Sequence, residues 1–264
     1  MRPPLRVSAV SFINARPLVY GLERERALFD VEFDLPSTCA QRLHAGEVDL
    51  GLIPAIDYLS GDYCVVPDMA IGSDGPILSV AVFTRVPIAQ VRRLAVDTSS
   101  RTSVALTRVL CAKHWHIAPA LVPVRPVLAD MLAQADAALV IGDPALEIDP
   151  AAHGVEKLDL GEAWQALTGL PFVYAAWAGR PGVLGPAHLA ALSAARDRGL
   201  ASIDAIAQDC AAGDEDRVGT IRSYLRHNLR YSFGDRERAG LERFFALAVE
   251  VGHASPAAPV RFYP

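Results

Sequence analysis

The sequence has few cysteines, no long apolar run and no excess of positive charge, and each lack excludes a class of protein. A run of about 18 uninterrupted apolar residues, the minimum for a membrane helix, is missing. The first apolar stretch, residues 5–10, lacks the features of an export signal. We therefore expect a cytoplasmic protein with no membrane partner. The cysteines are scattered without a CxxC pair, which predicts reduced structural thiols: Cys39, Cys64, Cys111 and Cys210.

The charge and the missing motifs exclude further classes. A formal net charge of −5 argues against a nucleic-acid partner, because such a surface neutralises phosphates with a basic patch. The GxxxxGK[ST], GxGxxG and HExxH motifs do not occur, and "IGSDG" is not a GxSxG nucleophile elbow. His114 and His116 lie two apart in a predicted helix and point to different faces. We expect no bound metal and no nucleotide or serine-hydrolase chemistry.

What is present is an alternation of short apolar runs and helical patterns, which predicts an α/β fold. The 264 residues are 52% hydrophobic, enough for one large domain or two small ones. The predicted strands, enough for two small sheets, are residues 5–10, 30–35, 49–55, 79–84, 93–97, 120–124, 137–142 and 172–179.

Three helices have readable ends. Ser37 or Thr38 is expected to cap a helix that Gly46 ends. A second helix over 101–115 follows a hydroxyl-rich start, and a third carries an apolar face in "DRERAGLERFFALAVEVG".

Unusual polar clusters follow several predicted strands. Ser11 and Asn14-Ala15-Arg16 follow the first, and Gly72-Ser73-Asp74-Gly75, residues 98–103 and Gly142-Asp143 follow other apolar runs. In open α/β sheets ligands bind at this edge, because helix N-termini there present free N–H groups. Hydroxyls and amides with an arginine suit a carboxylate better than a long phosphate chain.

Each cluster also has a purely structural interpretation. "TSSRTS" is a good N-cap, "GSDGP" is an ordinary turn, and Asn14 can cap a helix. The aromatic residues near the eighth strand can line a ligand or fill the core, and we favour the core for Trp164, Phe172, Tyr174 and Trp177.

Stretches spanning nearly the whole chain resemble the chorismate dehydratase family of the futalosine route to menaquinone. "AGEVDLGLIPA" alone would indicate only a relative of periplasmic binding proteins. The matching stretches, in order, are "VSFINARPLVYGL", "LHAGEVDLGLIPAIDYL", "IGSDGPILSVAVFTRVPI", "LAVDTSSRTSVALTRVL", "ADAALVIGDPAL", "DLGEAWQALTGLPFVYAAWAGR" and "YLRHNLRYSFGDRERAGLERFFALA".

The resemblance implies a type II periplasmic-binding-protein fold, with two α/β lobes joined by two crossing strands and a ligand cleft between them. We place the crossing strands at about 79–86 and 172–180. Lobe 1 then comprises residues 1–85 and 180–264, and lobe 2 comprises residues 86–179. In this arrangement the turns of Asn14 and Ser73 face those of Thr98, Ser103 and Asp143.

The implied reaction removes water from chorismate to give 3-[(1-carboxyvinyl)oxy]benzoate, with no cofactor. The partner is a small dicarboxylate, and the oligomeric state stays open. One carboxylate is expected at the hydroxyls and N–H groups of Thr98, Ser99, Ser100, Thr102 and Ser103. The other carboxylate, or the substrate hydroxyl, is expected at Ser73, Gly75 and Ser79, with Ser11 nearby.

The family's motif positions offer no histidine as base, and the acidic residues among the turns are Asp74 and Asp143. We hypothesise that the enolpyruvyl carboxylate of the substrate takes the proton while Asn14 orients it. Asp143 is then a binding residue or a helix cap. Arg16 and Arg101 are guanidinium anchors for a carboxylate or solvent-facing charges.

Three rival functions remain. The later pathway enzyme that acts on cyclic dehypoxanthinyl futalosine has the same fold. A transport solute-binding protein would normally carry an export signal. A non-catalytic sensor of small carboxylates is separated from an enzyme only by an activity measurement.

Overall fold

The computed structural model describes residues 3–255 and 259–264, and it confirms the α/β class. The strands are β1 (Leu5–Val10), β2 (Phe29–Asp34), β3 (Leu50–Pro54), β4 (Cys64–Val65), β5 (Ile71–Ser73), β6 (Val80–Thr84), β7 (Arg93–Val96), β8 (Ala120–Pro123), β9 (Ala137–Ile141), β10 (Glu156–Asp159) and β11 (Phe172–Gly179). The helices are α1 (Arg16–Val19), α2 (Pro36–Ala45), α3 (Arg101–Lys113), α4 (Leu128–Gln134), α5 (Asp143–Glu147), α6 (Pro150–His153), α7 (Leu160–Thr168), α8 (Pro186–Ala201), α9 (Ile203–Ala211), α10 (Glu215–Ser223) and α11 (Asp235–Glu250).

In the described part of the chain the strands form two mixed sheets. The first has the order β2-β1-β3-β11-β4, with β5 paired to β11, and β1 runs parallel to β2 and β3. The second has the order β10-β6-β9-β7-β8, and β7 runs parallel to β8 and β9. In both sheets the parallel strands alternate with helices in the sequence, as βα units require.

The strand pairing gives lobe boundaries that differ from the predicted ones. β6 was expected to end lobe 1 as a crossing strand, but it pairs with β9 and β10 inside the second sheet. β11 was assigned to lobe 2, but it pairs with β3 in the first sheet. The chain therefore crosses between the sheets at about 74–79 and 160–171, and from here lobe 1 denotes the described residues before 74 and after 171, and lobe 2 denotes residues 80–159. Both strands are completely buried, and an apolar run does not reveal to which sheet it belongs.

The helix ends are partly as predicted. α2 begins one residue before the expected caps, because Pro36 occupies its first turn and Leu35 is the N-cap residue. The expectation that Ser37 or Thr38 caps it is therefore wrong. Gly46 ends the helix in the left-handed conformation at φ +74°, as expected. α3 begins after Ser100, whose hydroxyl accepts a hydrogen bond from the Ser103 N–H.

The aromatic residues near β11 are buried, as expected. Trp164 packs edge-to-face against Phe172 with ring centroids 5.1 Å apart, and Phe244 of α11 packs on both rings. This cluster fixes the return of the chain from the second sheet to the first. Among the described residues, no helix has both the length and the apolar character needed to cross a bilayer.

Candidate active site

A pocket lies between the two sheets and takes its walls from both. The space in it that water can reach is about 40 Å³, and most of the side chains around it are apolar. Its lining residues are Val10, Phe12, Asn14, Pro36, Pro54, Ile71, Ile77, Val80, Ser100, Ser103, Ile141, Gly142, Tyr174 and Ala175. Apolar walls with a few polar groups suit a small ring that carries polar substituents.

Asn14 supplies the polar group on the lobe 1 side. It lies in a 3₁₀ turn, Ile13–Ala15, which directly follows β1, and its backbone carbonyl accepts a 2.8 Å hydrogen bond from the Tyr231 hydroxyl. Its side-chain Oδ1 is buried and has no hydrogen-bond partner among residues 3–255 and 259–264. A buried amide oxygen without a partner is costly, so a ligand that hydrogen-bonds to it gains affinity.

The start of α3 supplies the polar groups on the lobe 2 side. Ser100 and Ser103 both line the pocket, and their hydroxyl oxygens are 2.9 Å apart. They lie at the N-terminus of this 13-residue helix, where the Ser100 hydroxyl caps the Ser103 N–H and the helix dipole has its positive end. Hydroxyl and N–H donors at a helix N-terminus are a suitable receptor for a carboxylate.

Gly142 lets the lobes approach closely at the pocket. It has φ +69°, and a Cβ atom there would lie 3.0 Å from the ring carbons of Phe12. Its N–H donates to the Ser79 carbonyl at 2.8 Å. Any side chain at this position would push Phe12 away and open the pocket wall.

Hydrogen bonds join the lobes next to the pocket. The Ser37 N–H donates to the Ser99 carbonyl at 3.0 Å, and the Ile56 N–H donates to the Thr102 hydroxyl at 3.1 Å. Ser99 and Thr102, expected to bind substrate, therefore contact lobe 1 in this structure.

Asp143 makes a third interlobe contact. Its Oδ1 accepts a 3.0 Å hydrogen bond from the Ile13 N–H. Burial raises the pKa of the Asp143 carboxyl, and the Ile13 N–H offsets part of that rise. The carboxylate lies beside the Asn14 turn but is not part of the pocket lining.

Arg101 joins the lobes through an ion pair with Asp57. Its Nη1 lies 2.8 Å from Asp57 Oδ1. The Asp57 side chain is only 3% exposed, whereas that of Arg101 is 39% exposed. Burial raises the pKa of Asp57, and the Arg101 hydrogen bond opposes that rise. The guanidinium expected to anchor a substrate carboxylate thus pairs with a carboxylate of the protein.

Ser73 and Ser79 lie behind the pocket wall. The Ser73 hydroxyl is 3.2 Å from the Tyr174 hydroxyl, and the Ser79 hydroxyl accepts a 2.6 Å hydrogen bond from Tyr224. Both serines are buried. Gly75, at φ +116°, continues the same turn. These residues support the wall on which Tyr174 lies.

The other predicted site residues lie elsewhere. Arg16 packs over the Phe33 ring, 5.6 Å from its centroid, and lines a separate surface pocket with Cys210. Thr98 is exposed at a wider crevice between the lobes, which Arg101 also lines. Ser11 is half-buried at the end of β1 and its N–H donates to the Asp34 carbonyl.

The Asp74 carboxylate is bound by two other side chains of the protein. Its Oδ1 accepts from Gln165 at 3.0 Å and its Oδ2 pairs with Arg236 at 2.8 Å. Both carboxylate oxygens are thus engaged by cationic or amide groups of the protein.

Sequence reasoning missed two residues at or next to the pocket. Phe12 lines it, and the Tyr224 hydroxyl lies behind it against Ser79. Tyr174, for which we favoured the core, is buried and also lines the pocket. Phe12 stood beside the singled-out Asn14, but aromatic residues in apolar contexts carry no distinctive signal. Within the described ranges, no group of three or more His, Cys, Asp or Glu side chains is arranged to hold a metal ion.

The fold and the interlobe pocket define an α/β protein of the periplasmic-binding-protein fold. A protein from Archaeoglobus fulgidus has this architecture with a TM-score of 0.75 and 18% identity, over 94% of this chain and 98% of that one. The alkanesulfonate-binding protein SsuA from Xanthomonas axonopodis pv. citri, solved with MOPS bound, gives a TM-score of 0.69 at 18% identity, over 98% of this chain and 96% of that one.

The sequence comparisons define the family. Residues 5–250 match the family model described as menaquinone biosynthesis. The chain is also 31% identical to the chorismate dehydratase of Thermus thermophilus, and the match covers 96% of each chain. The chain therefore belongs to the menaquinone biosynthesis family and is a homologue of chorismate dehydratase.

Proposed function

We propose that this protein is a chorismate dehydratase, a carbon–oxygen lyase that converts chorismate to 3-[(1-carboxyvinyl)oxy]benzoate in the futalosine route to menaquinone. The similarity to the enzyme of Thermus thermophilus supports this function. The observation that carries it is the pocket, where apolar walls separate the unpartnered Asn14 oxygen from the start of α3. A ring with two carboxylates and a hydroxyl matches this distribution of groups.

One substrate carboxylate binds at the start of α3. Ser100 and Ser103 share one hydrogen bond, so the hydroxyl hydrogen that is left free donates to the carboxylate, and the helix N–H groups add a partial positive charge. The apolar walls take the ring. This arrangement leaves the Asn14 side of the pocket for the reacting carbons and the enolpyruvyl group.

The reaction breaks the C–H bond at the ring carbon that carries the ether and the C–O bond at its neighbour. The leaving hydroxyl takes up the proton that was removed from the neighbouring carbon and departs as water, and the ring becomes aromatic. In our proposal the enolpyruvyl carboxylate accepts the carbon-bound proton, because both acidic candidates are already engaged. Asp143 binds the Ile13 N–H, and Asp74 binds Gln165 and Arg236. Asn14 holds the ring in orientation by accepting a hydrogen bond from the substrate hydroxyl at its unpartnered Oδ1.

The deciding experiment incubates the purified protein with chorismate in a chelator and without added cofactor. Products are identified by mass and by proton NMR. We expect catalytic turnover to the enolpyruvyl benzoate, and intact chorismate would refute the dehydratase function. Asn14→Ala should lose activity by about 10²-fold or more, as expected for a group that positions reactants. Gln134→Ala, which truncates an exposed amide on α4, is the control.

A rival is a binding protein that leaves its ligand unchanged, since the fold is shared with SsuA. Tight binding of chorismate without turnover would favour this rival. Turnover of cyclic dehypoxanthinyl futalosine in place of chorismate would favour the later pathway enzyme.

A further inference from the structure

The first crossing segment, residues 74–79, contains a tight and strained turn. The Ser79 N–H donates to the Ile77 carbonyl at 2.8 Å and so closes a turn of three residues. The central residue, Leu78, has φ +63°, and its side chain is exposed. A three-residue turn with a positive central φ is rare, and this conformation is strained for any residue other than glycine. Such a turn persists only where other contacts hold it in place.

The Asp159 carboxylate supplies contacts that hold this turn. Asp159 is the last residue of β10 and directly precedes the second crossing segment, residues 160–171. Its Oδ2 accepts a hydrogen bond from the Leu78 N–H at 2.6 Å. The Ile77 N–H is shared between its two oxygens, at 3.0 Å from Oδ1 and 3.1 Å from Oδ2. One side chain thus fixes the N–H groups of two successive residues in the turn.

The same carboxylate also holds the start of the second crossing segment. Asp159 Oδ1 accepts from the Gly161 N–H at 2.9 Å and from the Glu162 N–H at 3.1 Å, so Asp159 is the N-cap residue of α7. The two crossing segments are in direct contact here, because a Cβ atom at Gly161 would overlap the Gly75 carbonyl oxygen. Both connections between the lobes are therefore joined at Asp159.

The turn carries part of the pocket wall. Ile77 is 1% exposed and lines the pocket, and Val80 lines it two residues after Leu78. A change of Leu78 to the usual negative φ would redirect the chain between Ile77 and Val80, since φ and ψ are the soft dihedrals of the backbone. Both side chains therefore keep their places in the wall only while the turn stays strained.

We propose that Asp159 is a positioning residue for the reaction: by holding the strained turn at Leu78, its carboxylate places Ile77 in the wall against which the substrate ring lies. Asp159 is not part of the pocket lining, so it acts through the turn. This inference rests on the proposed dehydratase function for its kinetic consequence. Its geometric consequence, the position of Ile77, is independent of the substrate.

The first kinetic test is Asp159→Ser. Serine is as good an N-cap residue as aspartate and keeps α7 capped, but its single oxygen cannot also hold the Ile77 and Leu78 N–H groups. We expect kcat for chorismate to fall by about 10- to 100-fold, as for a small misplacement of the reacting ring. KM should change by less than about threefold, because the start of α3 is untouched.

Asp214→Ser is the matched control. Asp214 caps α10, which has nine residues like α7, and it accepts from the Arg217 N–H at 3.1 Å. The same substitution therefore changes an N-cap that does not contact a crossing segment. It should leave kcat unchanged.

A double variant tests whether Asp159 acts through Ile77. Ile77→Ala removes the side chain from the wall directly and should also lower kcat. If Asp159 serves to place that side chain, Asp159→Ser combined with Ile77→Ala should lose no more than about threefold in kcat beyond Ile77→Ala alone. Two independent roles would instead give losses that multiply, and this result would overturn the inference.

The geometric test follows the Ile77 methyl group by NMR in the ligand-free protein. Selective ¹³C labelling of isoleucine δ1 methyl groups is combined with Ile77→Val, which identifies the Ile77 signal by its disappearance. Asp159→Ser should shift this signal, and Asp214→Ser should not. If Asp159→Ser does not fold, Asp159→Asn keeps the shape of the side chain, places an NH₂ group against one of the N–H donors and is measured in the same way.

The outcomes separate this inference from the proposed function. If the wild type does not turn over chorismate, the proposed function fails, and the Ile77 signal alone decides whether Asp159 places the wall. An unshifted Ile77 signal in Asp159→Ser overturns the inference whatever the activity. A shifted signal with unchanged kcat in an active enzyme also overturns it. An equal loss of kcat in Asp214→Ser overturns it too, because the effect would then be one of general stability.

Discussion

Replacing Asp143 by asparagine separates a structural carboxylate from a general base. In the structure Asp143 Oδ1 accepts the Ile13 N–H at 3.0 Å, one residue before Asn14. An asparagine at 143 keeps an acceptor oxygen for that N–H but loses the charge. Hydrogen bonds to charged groups contribute about 1.5–3 kcal/mol and neutral ones about 0.5–1.5 kcal/mol. The difference is about 1 kcal/mol, or about fivefold in a rate or equilibrium.

This value is an upper estimate, because burial raises the Asp143 pKa and thereby offsets part of the charged hydrogen bond. We therefore expect Asp143→Asn to lower kcat/KM for chorismate by about fivefold or less. A general base would instead account for about 10²–10⁴ in rate. Initial rates of chorismate consumption, with product measured by proton NMR, distinguish the two. A loss of 10²-fold or more in kcat would refute a structural role and assign the proton transfer to Asp143.

The pH profile gives an independent check on the same variant. If Asp143 were the base, the acidic limb of kcat/KM would report its raised pKa and would vanish in Asp143→Asn. If the substrate carboxylate is the base, both proteins show the same limb. Asp74→Asn is the companion variant, since its carboxylate is bound by Gln165 and Arg236. We expect it to retain activity within about tenfold as well.

Other substitutions test the close contact between Gly161 and the Gly75 carbonyl, and the ion pair between Arg101 and Asp57. Gly161→Ala should lower the unfolding temperature and the activity, because its Cβ would lie 2.4 Å from the Gly75 carbonyl oxygen; overpacking costs about 1–3 kcal/mol. Gly219→Ala, which meets no atom within 4 Å and lies in α10, should be neutral or stabilising by about 1 kcal/mol. Asp57→Asn should raise KM by about 3- to 10-fold with little change in kcat, because it weakens the pairing with Arg101 across the cleft. The same variant should keep or raise the unfolding temperature at pH 7. Burial raises the Asp57 pKa on folding, so the ionised carboxylate destabilises the folded protein above that pKa. The destabilisation disappears as the pH falls and the carboxyl becomes protonated. Parallel losses of unfolding temperature and affinity in Asp57→Asn would contradict this reasoning.

Local patterns in the sequence were sufficient to predict the strands and the start of α3. All the predicted strands occur within one or two residues of their expected bounds, because each is a short apolar run with turn residues at its ends. Ser100 caps α3, which confirms the structural interpretation of its cluster. It also lines the pocket, and ligand binding there stays a prediction. The strands β4, β5 and β10 were missed, since two to four residues give too little periodicity.

The assembly of the site was less predictable, because it depends on pairings between distant segments. Nothing local to β6 indicates that it pairs with β9 and β10. The Tyr224 hydroxyl meets Ser79 across 145 positions of sequence. Arg101 belongs to a cluster that looked suited to a carboxylate, and it does bind one, but that carboxylate is Asp57. Residue type predicted the chemistry of this contact and not the partner.

The start of α3 both contacts lobe 1 and lines the pocket. Ser99, Arg101 and Thr102 contact lobe 1, whereas Ser100 and Ser103 face the pocket. The helix end at which we propose that a carboxylate binds therefore lies opposite Asn14 while the lobes are in contact. A ligand that bridges the two sides binds this arrangement more tightly than any separated one, and by linkage it favours contact between the lobes to the same extent. Substitutions at the interlobe contacts should consequently weaken the binding of such a ligand, although the substituted side chains do not touch it.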